Sequence, residues 1–93
     1  MNRLIILGST GTIGVQTLDL IENMGEDFQV KGLSCHSNFR IFREQLKKHK
    51  PQYAAISGDQ EVDGLREEFP DIIFFAGKGA LTELVSIDDY DMA

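Results

Sequence analysis

The chain has 93 residues and a formal net charge of −6, so it is long enough for one domain at most. Residues 1–50 hold seven Lys and Arg against five Asp and Glu, whereas residues 51–93 hold two against ten. This acidic second half argues against nucleic-acid binding, which needs a broad basic face. The single cysteine excludes an internal disulfide. No signal peptide is visible and no apolar run reaches about 18 residues, so we expect a cytoplasmic protein that does not enter a membrane.

The first element is a strand that leads into a glycine-rich turn. The apolar run at residues 4–7 is typical of a buried strand, and Gly8, Gly11 and Gly14 follow with the spacing G-x-x-G-x-x-G. This spacing is a variant of the dinucleotide-binding fingerprint. In that motif the backbone approaches a pyrophosphate and the next helix points its N-terminus at the anion. Because a strand precedes the glycines and a helix follows them, the turn is predicted to bind a dinucleotide.

The first helix is expected to begin near Thr12 and to end before Gly25. Thr10 and Thr12 can cap this helix, contact a phosphate, or do both, because the two roles use the same geometry. The simplest alternative is a glycine-rich turn that binds nothing. Helical spacing predicts an inner face made of Ile13, Thr17, Leu20, Ile21 and Met24.

The rest of the chain alternates strands with helices. We expect strands at residues 28–35, 53–56 and 72–75, a second helix that Ser37 or Asn38 caps and Pro51 ends, and helices at 60–69 and 80–85. Phe39, Phe42 and Leu46 are the expected buried side of the second helix. The alternation predicts an α/β, Rossmann-like, doubly wound and mainly parallel sheet of about four strands, with helices on both faces. Residues 88–93 resemble the approach to a fifth strand, so we expect a longer enzyme.

The segment after the second strand indicates the cofactor. An NAD-specific site usually places Asp or Glu about 20 residues beyond the glycines, to hold the ribose 2′-hydroxyl. No acidic residue occurs between Asp27 and Glu44, which favours NADP. His36 either neighbours the adenine or ribose or is an ordinary loop histidine. Donors that suit a 2′-phosphate are available instead, at Ser37, Asn38, Arg40 and Arg43, although the arginines also fit an ordinary solvated helix face.

No catalytic or metal-binding residue is expected in the chain. Cys35 has no neighbouring base in the sequence and is interpreted as a small buried strand residue. Adjacent acidic residues such as Glu67-Glu68 and Asp88-Asp89 are typical of a solvated surface.

One segment carries a family resemblance. Residues 6–14 read I-L-G-S-T-G-T-I-G and residues 17–19 read T-L-D. This resembles the N-terminus of the 1-deoxy-D-xylulose 5-phosphate reductoisomerase family, which opens with I-L-G-S-T-G-S-I-G and then T-L-D. Weaker similarity continues through the junction at Lys50 and Pro51, and the match spans this whole chain but only the first part of the family's length.

The resemblance implies a cofactor-binding piece of a larger enzyme. The family binds NADPH and a divalent metal, Mg or Mn, and acts on a phosphorylated sugar. It converts 1-deoxy-D-xylulose 5-phosphate to 2-C-methyl-D-erythritol 4-phosphate in non-mevalonate isoprenoid biosynthesis. Residues 1–93 would be the N-terminal part of the NADPH-binding domain, without the catalytic and C-terminal domains. The chain alone is therefore expected to be inactive.

The resemblance also implies cofactor contacts. The family's first-loop contacts carry over to Thr10, Gly11, Thr12 and Ile13, where Thr12 replaces a commoner serine and keeps the hydroxyl. After the second strand the family often has Gly-Lys-Asn, and here only Asn38 matches. Together with the glycine motif, the expected cofactor-binding residues are Gly8, Thr10, Gly11, Thr12, Ile13, Gly14, His36, Ser37, Asn38 and Arg40.

Two other classes of function stay open. One is a different G-x-x-G-x-x-G oxidoreductase, such as a semialdehyde dehydrogenase or an extended short-chain dehydrogenase, although these often carry Ala-Thr-Gly in the loop. The other is a stand-alone nucleotide-sensing module.

A sheet that lacks its later strands also leaves a free edge that can pair with a second copy, so a homodimer is a further hypothesis.

Overall fold

The computed structural model describes residues 2–24, 28–36, 38–58, 62–87 and 90. The predicted elements are all present in it, although the first strand begins earlier than expected and the third helix ends one residue earlier, at Glu68. Residues 60 and 61, the predicted start of the third helix, lie outside the described residues. The predicted helix stop at Gly25 lies outside the described residues. The elements are β1 (Asn2–Ile6), α1 (Thr12–Asn23), β2 (Phe28–Cys35), α2 (Phe39–His49), β3 (Tyr53–Ile56), α3 (Val62–Glu68), β4 (Ile73–Ala76) and α4 (Ala80–Val85).

The four strands form one parallel sheet in the order β1-β2-β3-β4. In the register, Ile6 lies beside Leu33, and Cys35 lies beside Ile56. Because all the strands run in the same direction, the segments that follow β1, β2 and β3 meet at one edge of the sheet. This arrangement brings the glycine-rich turn and the segment after β2 together.

Helices cover both faces of the sheet, which confirms the predicted fold class. Leu18 of α1, Phe42 of α2 and Leu65 of α3 belong to one buried cluster on the first face. Each of these helices connects one strand to the next in the same direction, and right-handed crossovers then place all three on the same side. Leu84 of α4 belongs to a second cluster with Ile5 on the opposite face.

The predicted inner face of α1 is wrong at three of its five positions, since Ile21 is buried and Thr17 is half-buried. Ile13 is 75% exposed, Leu20 is 64% exposed and Met24 is 51% exposed. The buried residues of α1 are instead Gly14, Leu18 and Ile21. The two sets lie on neighbouring stripes of the helix, and both have helical spacing. The buried stripe contains Gly14, whose missing side chain lets the helix approach the backbone of the glycine-rich turn.

Helix α2 has the predicted buried side. Phe42 and Leu46 are fully buried, and Phe39 packs against them. The helix ends at a left-handed residue, Lys50, with a φ of 48°, and Pro51 follows. One polar residue, Gln45, lies on the same buried side and is only 8% exposed.

Candidate dinucleotide site

The glycine-rich turn depends on glycine for two different reasons. Gly8 has a φ of +64°, in the left-handed region where residues with a side chain are strained. The N–H of Gly11 donates to the carbonyl oxygen of Gly8 at 3.0 Å and closes the turn. A Cβ atom added at Gly14 would clash with that same carbonyl oxygen and would lie 2.6 Å from the Cα of Ser9. Gly14 therefore allows α1 to pack directly on the turn.

The N-terminus of α1 is open to a ligand. Its N-cap is Gly11, and no side chain makes a capping hydrogen bond, so the capping interpretation of Thr10 and Thr12 is wrong. Gly11, Thr12 and Ile13 are exposed. The first intrahelical bond of α1 runs from the N–H of Val15 to the carbonyl oxygen of Gly11, at 2.9 Å.

The backbone donors of this region divide into two groups. The N–H groups of Gly8, Ser9 and Gly11 are used within the protein. Within the described ranges, by contrast, no protein acceptor is in hydrogen-bond range of the N–H of Thr10, Thr12, Ile13 or Gly14. These N–H groups lie at the positive end of the helix dipole, where an anion is stabilised.

The segment after β2 lies at the same edge of the sheet. His36, Asn38 and Arg40 are exposed, and Asn38 is the N-cap of α2 without a side-chain capping bond. The Nδ1 atom of His36 lies 3.0 Å from the Oγ of Ser57, which follows β3. Ser37 lies outside the described residues. The structure thus brings an imidazole, an amide and a guanidinium to the edge that carries the glycine-rich turn.

A buried polar cluster behind the turn was missed by the sequence analysis. It consists of Ser9, Ser34 and Gln45, which are 0%, 1% and 8% exposed. The Nε2 of Gln45 donates to the carbonyl oxygen of Ser9 at 2.6 Å, and the Ser9 hydroxyl lies 2.7 Å from the Oε1 of Gln45. A glutamine beside Phe42 and Leu46, on a helix face that is otherwise apolar, was the available signal.

The described part of the chain offers few other candidates for a chemical role. Cys35 is buried, and burial raises the pKa of its thiol to about 12, so it stays protonated and is not a nucleophile. Among the described residues, no group of three or more His, Cys, Asp or Glu could hold a metal ion. The helices described there include none long and apolar enough to span a membrane.

Two cavities lie at opposite edges of the sheet. An open groove of about 470 Å³ runs beside the glycine-rich turn and is lined by Leu7, Gly11 and Ile13, among others. A larger cavity of about 540 Å³ lies at the other edge, near Pro51 and Asp71. Parallel α/β sheets bind their ligands at the carboxyl ends of the strands, so the smaller groove is the candidate site.

Comparison with known proteins identifies the family of the chain. The sequence model of the family described as 1-deoxy-D-xylulose 5-phosphate reductoisomerase matches residues 4–93. The chain belongs to this family. The reductoisomerase of Thermoanaerobacter sp. (strain X514) is 36% identical over 89 residues, which are 95% of this chain and 23% of that protein.

Solved structures of reductoisomerases share the fold. The enzyme from Zymomonas mobilis in complex with NADPH is 31% identical with a TM-score of 0.79, over 88% of this chain and 22% of that one. A DOX-P reductoisomerase in complex with NADPH, fosmidomycin and magnesium has a TM-score of 0.89 at 24% identity, over 98% of this chain and 23% of that one. The chain therefore spans less than a quarter of the length of these reductoisomerases.

Proposed function

We propose that residues 1–93 form the N-terminal part of the NADPH-binding domain of a reductoisomerase. The enzyme would convert 1-deoxy-D-xylulose 5-phosphate to 2-C-methyl-D-erythritol 4-phosphate, and further polypeptide would supply its catalytic and C-terminal domains. One observation carries the proposal: Thr10, Thr12 and Ile13 offer N–H groups without protein acceptors in the described ranges, at an open helix N-terminus. The Zymomonas mobilis relative, which shares this fold, has NADPH bound.

The proposed role of the turn is to hold the pyrophosphate. Backbone N–H groups at Thr10, Thr12 and Ile13 donate to phosphate oxygens, and the dipole of α1 favours the negative charge. Gly8 gives the turn its left-handed bend, and Gly11 keeps the approach to the backbone free of a side chain. When bound, NADPH supplies the hydride for the reduction, whereas the residues of this chain bind and orient it.

The second loop is proposed to select NADPH over NADH. Asn38, Arg40 and His36 are exposed at the carboxyl edge and can donate hydrogen bonds to a 2′-phosphate. No carboxylate is present between residues 28 and 43 to repel that phosphate or to accept from a ribose hydroxyl. Ser37 stays a predicted contact from the sequence.

Metal and substrate binding are assigned to other parts of the enzyme. The described residues lack a cluster that fits a divalent metal, so no step of the reaction is assigned to them.

Cytoplasmic location, the absence of nucleic-acid binding and formation of a homodimer remain proposals. The family membership disfavours a semialdehyde or short-chain dehydrogenase, and the full reading frame tests the remaining alternative of a stand-alone sensing module.

The test is a titration of the full polypeptide that carries this sequence with NADPH and with NADH. We expect at least tenfold tighter binding of NADPH, which corresponds to about 1.4 kcal/mol. Asn38→Asp should shift the preference towards NADH, because a carboxylate repels the 2′-phosphate. Asn23→Asp is the matched control, since it adds the same charge at the far end of α1. Equal affinities of the wild type for the two cofactors would contradict the proposal.

A further inference from the structure

We propose that Gln45 is a positioning residue that holds the dinucleotide-binding turn in its binding conformation. It does so through Ser9, without touching the ligand. The inference rests on the proposed cofactor site and adds to it a residue of α2 that lies outside the glycine motif.

Gln45 contacts Ser9 at two points. Its Nε2 donates to the carbonyl oxygen of Ser9 at 2.6 Å, and its Oε1 accepts from the Ser9 hydroxyl at 2.7 Å. Both bonds are buried, so water does not easily replace the Gln45 amide as a hydrogen-bond partner of Ser9 when the amide is removed. The side-chain amide of Gln45 provides the required donor and acceptor together, whereas an ionised carboxylate lacks the donor.

Ser34 holds the turn from the other side. The N–H of Gly8 donates to the Oγ of Ser34 at 2.9 Å, and the N–H of Ser9 donates to the carbonyl oxygen of Ser34 at 2.8 Å. The Ser9 hydroxyl also lies 3.2 Å from that carbonyl oxygen. Gly8 and Ser9 are therefore held between the end of β2 and the middle of α2.

These contacts set the position of the phosphate donors. Helix α1 packs on the turn at Gly14, where a Cβ atom would lie only 2.6 Å from the Cα of Ser9. A shift of Ser9 would therefore move the N-terminus of α1 and the N–H groups of Thr12 and Ile13. A turn that must be ordered during binding loses affinity, and Gln45 removes that cost by ordering the turn beforehand.

Two substitutions separate positioning from general stability. Gln45→Met keeps the length of the side chain and removes both hydrogen bonds to Ser9. Leu46→Ala, at the neighbouring buried position, is the matched control because it destabilises α2 and lies beside the cavity at the opposite edge of the sheet. The readouts are the dissociation constant for NADPH and the thermal unfolding midpoint of the full polypeptide that carries this sequence.

We expect Gln45→Met to weaken NADPH binding at least tenfold at a temperature where it is folded. Leu46→Ala should lower the unfolding midpoint and change the dissociation constant less than twofold. Of the two bonds between Ser9 and Gln45, Ser9→Ala removes only the hydroxyl bond, which Gln45→Met has already removed, so Ser9→Ala/Gln45→Met should bind no worse than Gln45→Met.

Gln45→Glu gives a second readout should Gln45→Met not fold. An ionised carboxylate faces the carbonyl oxygen of Ser9 without a proton to donate, whereas a protonated one restores the bond. Burial raises the pKa of such a carboxyl group, so the affinity deficit relative to the wild type should shrink from pH 8 to pH 6. Gln45 lines a groove between α1 and α2 together with four charged or titratable residues, Asp19, Glu44, Lys48 and His49. Comparison with the wild type at each pH cancels the effect of their titration on the affinity.

The outcomes are distinguishable. If the wild type binds NADPH and folded Gln45→Met binds within twofold of it, the positioning role is wrong and the proposed function stands. The same conclusion follows if Leu46→Ala loses as much affinity as Gln45→Met, or if the deficit of Gln45→Glu does not depend on pH. If the wild type does not bind NADPH, the proposed function fails, and the positioning role fails with it.

Discussion

At the scale of single residues, the three motif glycines have different physical roles. Gly8 has a positive φ, and Gly14 packs against the backbone of the turn. Gly11 has an extended backbone with a φ of −76° and is exposed. A Cβ atom there would lie 3.4 Å from the nearest atom, the carbonyl oxygen of Gly8. A side chain at Gly11 therefore costs the fold little, but it projects into the space that the pyrophosphate would use.

This difference gives a test at two positions. Gly11→Val should leave the unfolding midpoint nearly unchanged and abolish NADPH binding in the full polypeptide, because the valine blocks close approach to the backbone. Gly14→Ala should destabilise the fold by about 1–3 kcal/mol, the usual cost of forcing an atom into packed structure. Scanning calorimetry measures the stability of both variants, and titration calorimetry measures their affinity for NADPH. A folded Gly11→Val variant with wild-type affinity would show that the turn does not bind the cofactor.

At the scale of elements, α1 carries two apolar stripes, and only one is buried. Leu18 is 3% exposed and packs in the larger cluster, whereas Leu20 is 64% exposed. The same substitution at the two positions should therefore have very different effects on the free energy of unfolding.

We expect Leu18→Ala to lower the free energy of unfolding of residues 1–93 by about 2–5 kcal/mol, through lost burial and a cavity. Leu20→Ala should stay within about 0.5 kcal/mol of the wild type, as exposed substitutions usually do. Denaturant titration of both variants is the measurement, and each is the control for the other. An equal loss at Leu20 would indicate that the outer stripe packs in the folded chain.

At the scale of the whole molecule, the chain carries one edge of the proposed cofactor site, and its described residues include no cluster that could hold a metal ion. A polypeptide of residues 1–93 should therefore show no turnover of 1-deoxy-D-xylulose 5-phosphate, with or without Mg or Mn. An NMR titration with NADPH should move the amide signals of residues 8–14 and 36–40 and few others. Measurable turnover by this polypeptide would contradict the proposed division of the enzyme.

Much of the architecture was predictable from local sequence. The bounds of β2, β3 and α4 agree with the expected ones, because glycine, proline and changes in apolar spacing mark the ends of elements locally. The glycine spacing also predicts where a dinucleotide binds, and this site and its contacts stay predictions.

The tertiary structure decided which of two equivalent patterns faces inward. The stripes of α1 through Leu18 and through Leu20 have the same period, and the buried one is the stripe on which Gly14 approaches Ser9. Likewise, nothing local pairs Gln45 with Ser9, which lies 36 residues earlier in the chain. The sequence by itself determined the order of the elements and the glycine-rich turn, because backbone conformation depends on neighbouring residues. Which side chains support that turn depended on parallel strands bringing distant segments to one edge of the sheet.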